Sequence, residues 1–130
     1  MPDGEGRMTP VPLVIAHRGA SEEAPENTIA AFELALALGA DGLEVDVHLS
    51  KDDQPVVIHD FTLERTTDGA GPVRALTARE LKRLDAGGWM GTRFRGQRIQ
   101  NLHEVLERFR DRTRCWIELK AGSDVYPDIE

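Results

Sequence analysis

The chain has 130 residues, with 16 Lys and Arg against 23 Asp and Glu and a formal net charge of −7. That length suffices for one domain with a hydrophobic core, and the acidic balance argues against a nucleic-acid footprint. A single cysteine, Cys115, excludes a disulfide framework and reads as a buried free thiol, and no run approaches the roughly 18 apolar residues of a membrane span.

The opening MPDGEGRMTP is rich in Pro, Gly and charge and lacks the apolar centre of a signal peptide. Residues 1–10 are expected to form a loose leader, with Met8 an alternative start, and residues 11–130 one domain part in the cytoplasm. Pro12–Ala16 reads as a first strand, ended by His17-Arg18-Gly19. After a loop through Pro25, Asn27 or Thr28 can cap a helix that reaches Leu38, with Gly39 as its stop. Ile29, Phe32 and Leu36 give that helix its core stripe.

Leu43–Leu49 is the second strand, Ser50–Gln54 a polar turn and Pro55–His59 the third strand. The turn is too short for a helical crossover, so these strands are antiparallel neighbours or part of an irregular barrel. Phe61–Gln97 is a Gly- and Arg-rich excursion with one helix at Ala78–Leu84, capped by Thr77 with Glu80 at the third helical position. Asn101–Arg110 is a further amphipathic helix, with Leu102, Val105, Leu106 and Phe109 on one side, and Arg114–Leu119 is the last strand. Apolar strands alternating with helices imply an α/β fold with a parallel sheet, as part of a barrel or as an open sheet. A complete barrel of eight strands and eight helices usually takes about 200 residues or more. The expectation is the N-terminal part of a larger domain, or a protomer that self-associates.

Four strand-like runs carry ionisable residues at their C-terminal ends: His17 and Arg18, Glu44 and Asp46, His59 and Asp60, Glu118 and Lys120. In a parallel sheet that end faces the ligand. Glu44 and Asp46 are two residues apart, so they share a face at a spacing of about 6.6 Å. One cation can bridge two such carboxylates, with Glu118 as third ligand, and oxygen ligands favour Mg²⁺ or Ca²⁺ over zinc. The competing reading is a pair of solvent-facing acids; Val45 and Val47 on the opposite face argue for the cation. His48 shares the face of Asp46 and reads as an edge or supporting histidine, and His103 as a surface or packing residue. His17 and His59 could supply a general acid and a general base near neutral pH, or be unrelated structural histidines. Arg18 could bind a phosphate oxygen and Lys120 could add a second positive charge, or either could be a structural ion-pair partner.

The segments HRGASEEAPENT (His17–Thr28), GADGLEVDVHLSKDDQPVVIHD (Gly39–Asp60), LERTTDGAG (Leu63–Gly71) and WIELK (Trp116–Lys120) resemble the glycerophosphodiester phosphodiesterase family in order and spacing. The resemblance runs from about Leu13 to the end. It implies a TIM-type (β/α) barrel of the class that includes phosphatidylinositol-specific phospholipases C. It implies hydrolysis of glycerophosphodiesters, such as glycerophosphocholine, to sn-glycerol 3-phosphate and an alcohol. It further implies one divalent cation on Glu44, Asp46 and Glu118, an acid–base pair of His17 and His59, Arg18 and Lys120 on the phosphate, and Asn27 close enough to orient metal or substrate. One departure is Ile99-Gln100-Asn101-Leu102, where the family usually has Ile-Pro-Thr-Leu, which is expected to weaken the turn into the next helix. The alternative is a partial barrel that binds a cation or phosphate ligand without turnover. A lysophospholipid-directed relative ranks below both, because no apolar lid or basic membrane helix is present.

Overall fold

The computed structural model describes residues 12–120; the expected leader at 1–10 lies outside the described residues. Four strands form one sheet: β1 (Ile15–His17), β2 (Gly42–Leu49), β3 (Pro55–Val57) and β4 (Arg114–Leu119). Three α-helices accompany them: α1 (Ile29–Ala37), α2 (Ala78–Lys82) and α3 (Leu102–Phe109). β2 is the central strand. β1 runs parallel to its first half, pairing Ile15 with Gly42 and His17 with Glu44. β4 runs parallel along Gly42–Val47, and β3 is antiparallel to Val47–Leu49. The open choice for β3 is thereby settled as an antiparallel neighbour.

The Arg18 N–H donates to the Glu44 carbonyl and the Ile58 N–H to the Asp46 carbonyl, whereas the Val47 carbonyl accepts from Lys120. Carbonyls of alternate residues point to the same edge of a strand. β1 and β3 therefore share one edge of β2, and β4 takes the other.

Alternation along β2 divides its side chains between two environments. Leu43, Val45 and Val47 are buried with Phe32 and Ala35 of α1 and Val105 and Phe109 of α3. Phe32 and Phe109 meet edge to face, with ring centroids 5.9 Å apart. Full burial of each such side chain is worth roughly 1.5–3 kcal/mol, so this layer fixes the helices and leaves the other face of β2 to polar groups. α1 is capped by Thr28, whose hydroxyl accepts from the Ala31 N–H, and Gly39 follows it at φ 92°.

The excursion is more ordered than its Gly- and Arg-rich sequence suggests. Leu63, Val73, Ala78, Leu81, Ala86 and Ile99 pack with Val56 and Ile58 into a second core beneath β3. Its helix stops at Lys82, two residues short of the sequence expectation, and carries the expected capping box between Thr77 and Glu80. β3 ends at Val57, also two residues early. The Val57 N–H turns away to the Gln100 carbonyl, and Val56 bridges Asn101. The segment that departs from the family pattern thus secures β3, and Asn101 caps α3 while its N–H donates to Glu104.

Trp116, Ile117 and Leu119 of β4 are 40–51% exposed. Among the described residues β1 and β4 each pair only with β2. Cys115 is half-buried against the first core, rather than fully buried, and burial raises its thiol pKa.

Candidate active site

The loop after β1 is built on two unusual backbone conformations. Arg18 and Asn27 both adopt the left-handed region, at φ 60° and 59°. Asn tolerates it through its short polar side chain; a long side chain such as Arg holds it at a cost of about 1–3 kcal/mol. The two residues are tied together, the Asn27 N–H donating to the Arg18 carbonyl at 2.9 Å. Gly19 follows at φ 81°, and a Cβ there would lie 2.7 Å from the Ala31 carbonyl carbon. The turn therefore sits directly against α1, and only glycine fits it.

At the C-terminal ends of β1 and β4 and midway along β2, not at the end of β2 as the sequence suggested, the polar face of the sheet gathers four donors. His17, Glu44, Asp46 and Glu118 each offer a ligand atom, all within 4.8 Å of one another. The β2–β4 register sets Asp46 directly opposite Glu118. Asp46 is fully buried. Burial, a hydrogen bond with Glu118 and the Asp46 charge push the Glu44 pKa up to about 7. Lys120 sits 3.1 Å from Glu118 and 3.6 Å from Asp46, and its hydrogen bond holds Glu118 below the usual carboxylate range. Glu44 Oε1 and Asp46 Oδ1 are buried without a hydrogen-bond partner. Buried carboxylate oxygens without donors are costly unless a cation meets them. The donor set, mostly oxygen, suits a hard divalent ion, so these residues fit one.

Asn27 braces this cluster. Its Nδ2 donates to Asp46 Oδ2 at 2.9 Å, and its Oδ1 accepts from the Asp46 N–H at 3.4 Å. Arg18 lies beside it, Nε 3.3 Å from Asp46 Oδ2 and an Nη 3.4 Å from Glu26. The Arg18 Nε–H is buried and makes an ion-pair contact with Asp46 in place of a hydrogen bond, so the guanidinium is held against the acid cluster.

The two candidate histidines stand differently. His17 joins the acid cluster, its Nε2 3.5 Å from Glu44. His59 stands on the loop after β3, where its Nδ1 pairs with Asp60 at 2.8 Å. A small cavity of about 10 Å³ lined by Asn27, His59, Glu26 and Thr66 lies between the two loops. His48 is fully buried, its Nε2–H donating to the His59 carbonyl and its ring packed edge-on to Phe61. It supports the backbone of His59, in line with the supporting role. His103 is exposed on α3, 3.9 Å from Glu107.

Sequence reasoning assigned no role to Glu26, Asp60 or Arg65, which meet at the same place. Glu26 precedes Asn27, Asp60 follows His59 and Arg65 lies in the LERTTDG segment. Adjacency to a candidate site residue was the available signal for Glu26 and Asp60; Arg65 had none.

The model of the glycerophosphoryl diester phosphodiesterase family matches residues 17–124. The chain belongs to this family. It is 55% identical over 119 residues to a glycerophosphodiester phosphodiesterase of Caldanaerobacter subterraneus, across 91% of this chain and 49% of that one. The crystal structure of a glycerophosphodiester phosphodiesterase from Agrobacterium tumefaciens superposes with a TM-score of 0.84 at 48% identity, covering 87% of this chain and 49% of that one. An Oleispira antarctica phosphodiesterase in complex with the product sn-glycerol-3-phosphate superposes at 0.83 and 43% identity, covering 88% of this chain and 47% of that one. The fold is thus part of the family's TIM-type barrel, and the chain spans about half the length of the relatives it matches. No described helix is long and apolar enough to cross a membrane.

Proposed function

We propose that this chain carries the catalytic face of a metal-dependent glycerophosphodiester phosphodiesterase, acting in the cytoplasm and releasing sn-glycerol 3-phosphate and an alcohol. The observation that carries the reading is the convergence of His17, Glu44, Asp46 and Glu118 within 4.8 Å, with Arg18 and Lys120 against the same carboxylates. The product named in the Oleispira structure supports the substrate class.

Glu44, Asp46 and Glu118 would hold one Mg²⁺ or Ca²⁺. When bound, such an ion supplies Lewis-acid stabilisation of charge on the non-bridging phosphate oxygens. Arg18 binds a phosphate oxygen through its guanidinium by a charge-assisted hydrogen bond, and Lys120 adds a second positive charge. His17 and His59 divide the proton transfers, one taking the proton of the attacking hydroxyl and the other protonating the departing alkoxide. The attacking oxygen is that of water or of the neighbouring glycerol hydroxyl; the second route gives a cyclic phosphate first.

The second reading is a partial barrel that binds the cation or a phosphate ligand without turnover, alone or after self-association. The exposed apolar side chains of β4 favour it. A glycerophosphocholine assay of the 130-residue chain, with and without chelator and with mass by light scattering, decides between them. Chelator-sensitive release of sn-glycerol 3-phosphate from a monomer supports the first. A folded, cation-binding chain without turnover establishes the second.

A further inference from the structure

We propose that Arg65 is a positioning residue that holds His59 and Arg18 in place through two separate carboxylates. This inference rests on the functional reading above and extends it to a group to which that reading gives no role. The Arg65 guanidinium is shared by two acids. Its Nη atoms lie 2.8 and 2.9 Å from the two Glu26 oxygens, and its Nε and one Nη lie 2.8 and 2.9 Å from the two Asp60 oxygens. Both pairs are bidentate, the geometry in which Arg transmits orientation as well as charge.

Each acid then reaches a different site group. Asp60 Oδ1 pairs with His59 Nδ1 at 2.8 Å. Glu26 Oε2 accepts from Arg18 at 3.4 Å. The side chain of Glu26 is only 9% exposed and that of Asp60 23%, so neither has ample water to replace Arg65. Arg65 and its attached carboxylates thus connect an acid–base candidate to a phosphate-binding candidate, although these lie on different loops. The chemical consequence at His59 is a fixed tautomer: with Nδ1–H donated to Asp60, Nε2 keeps the lone pair that accepts a proton. At Arg18 the consequence is direction. Glu26, held by Arg65, takes one Nη while Nε faces Asp46 at 3.3 Å, so the guanidinium is fixed between the two acids. The opposed shifts in the pair agree with this geometry: hydrogen bonds from Arg65 hold Asp60 well below the usual carboxylate range, and Asp60 with Glu26 raises Arg65.

The test uses Arg65→Met and Arg65→Lys in the full chain, with folding checked by circular dichroism. The ring nitrogens of ¹⁵N-labelled histidine are observed by NMR, and inorganic phosphate binding is followed by titration. In the native chain His59 is expected as the Nδ1–H tautomer. Arg65→Met is expected to release it toward the Nε2–H form and to weaken phosphate binding roughly tenfold, as a charge-assisted contact is misdirected. Arg65→Lys, which keeps the charge but not the fork, is expected to recover phosphate binding only in part and to leave the tautomer mixed. If Arg65→Met does not fold, Arg65→Lys carries both readouts. A His59 tautomer unchanged in the folded variants overturns the proposal, and an unchanged phosphate titration removes Arg18 from the network. Neither readout requires turnover, so an inactive chain refutes the hydrolytic reading without touching this one.

Discussion

Asn27 grips Asp46 at two points, through the carboxylate at 2.9 Å and through the backbone N–H at 3.4 Å. β1 leaves the edge of β2 at Glu44 and β3 joins it at Val47. The Asp46 N–H falls between them, and the Asn27 side chain supplies the acceptor a neighbouring strand would have offered. Asn27→Ala removes both contacts beside a fully buried carboxylate and is expected to cost about 1–3 kcal/mol, read from the urea midpoint. Asn27→Asp, which sets a second negative charge there, should cost more. Equal stability of the two variants would count against this role.

Gly19 and Gly39 both have positive φ, at 81° and 92°, but only Gly19 faces an obstacle. A Cβ at Gly19 would press on the Ala31 backbone at 2.7 Å, whereas one at Gly39 would meet nothing within 4 Å. Gly39→Ala should cost about 1 kcal/mol, the left-handed penalty alone. Gly19→Ala should cost at least about 2 kcal/mol more and displace the 18–28 loop. Parallel thermal melts check the contrast.

Asp60 makes stability depend on acid pH. Hydrogen bonds from Arg65 hold its folded pKa below that of the unfolded chain. The stabilisation is fully present above the unfolded value of about 3.9 and is lost as pH falls through the folded value. Asp60→Asn should therefore be destabilised at neutral pH but lose less stability on acidification. Urea denaturation from pH 7 down to about pH 2 measures this; identical slopes for both proteins would refute it.

Under the proposed function the cation and proton-transfer roles are separable. Glu44→Ala combined with Asp46→Ala is expected to abolish both divalent-cation binding by calorimetry and turnover. His59→Ala should lower turnover by about 10²–10⁴-fold while leaving cation binding largely intact. Cation binding lost in His59→Ala, or turnover retained without Glu44 and Asp46, would reverse those assignments.

The strand ends were legible because side chains on a strand alternate: Glu44 and Asp46 had to share a face, and the valines between and after them had to take the other. β4 was legible to the residue, as its run Arg114–Leu119 is bounded by turn and charge. β3 was overextended because Ile58 and His59 look like strand continuation, whereas the regular pairing with β2 ends at Val57 and only the Ile58 N–H still reaches the Asp46 carbonyl among the described residues. The left-handed Arg18 carries no local signature. Nor does the meeting of Arg65 with Glu26, which are 39 positions apart. Such contacts arise only after the excursion has folded on its own core, and that core is scattered among glycines and arginines.

The Asp46–Glu118 register builds electrostatic frustration into the ladder that carries the last strand. Like charges directly opposite one another weaken a strand pair, and Lys120 bridges both acids here, at 3.6 and 3.1 Å. The end of β4 is thus a zip whose closure depends on countercharge: amide exchange along Glu118 and Leu119 should slow as added divalent ions or salt neutralise the facing acids. Under the proposed function, the same crowding of acids would make this strand end the ion-responsive part of the sheet, while the valine face of β2 is packed beneath its helices.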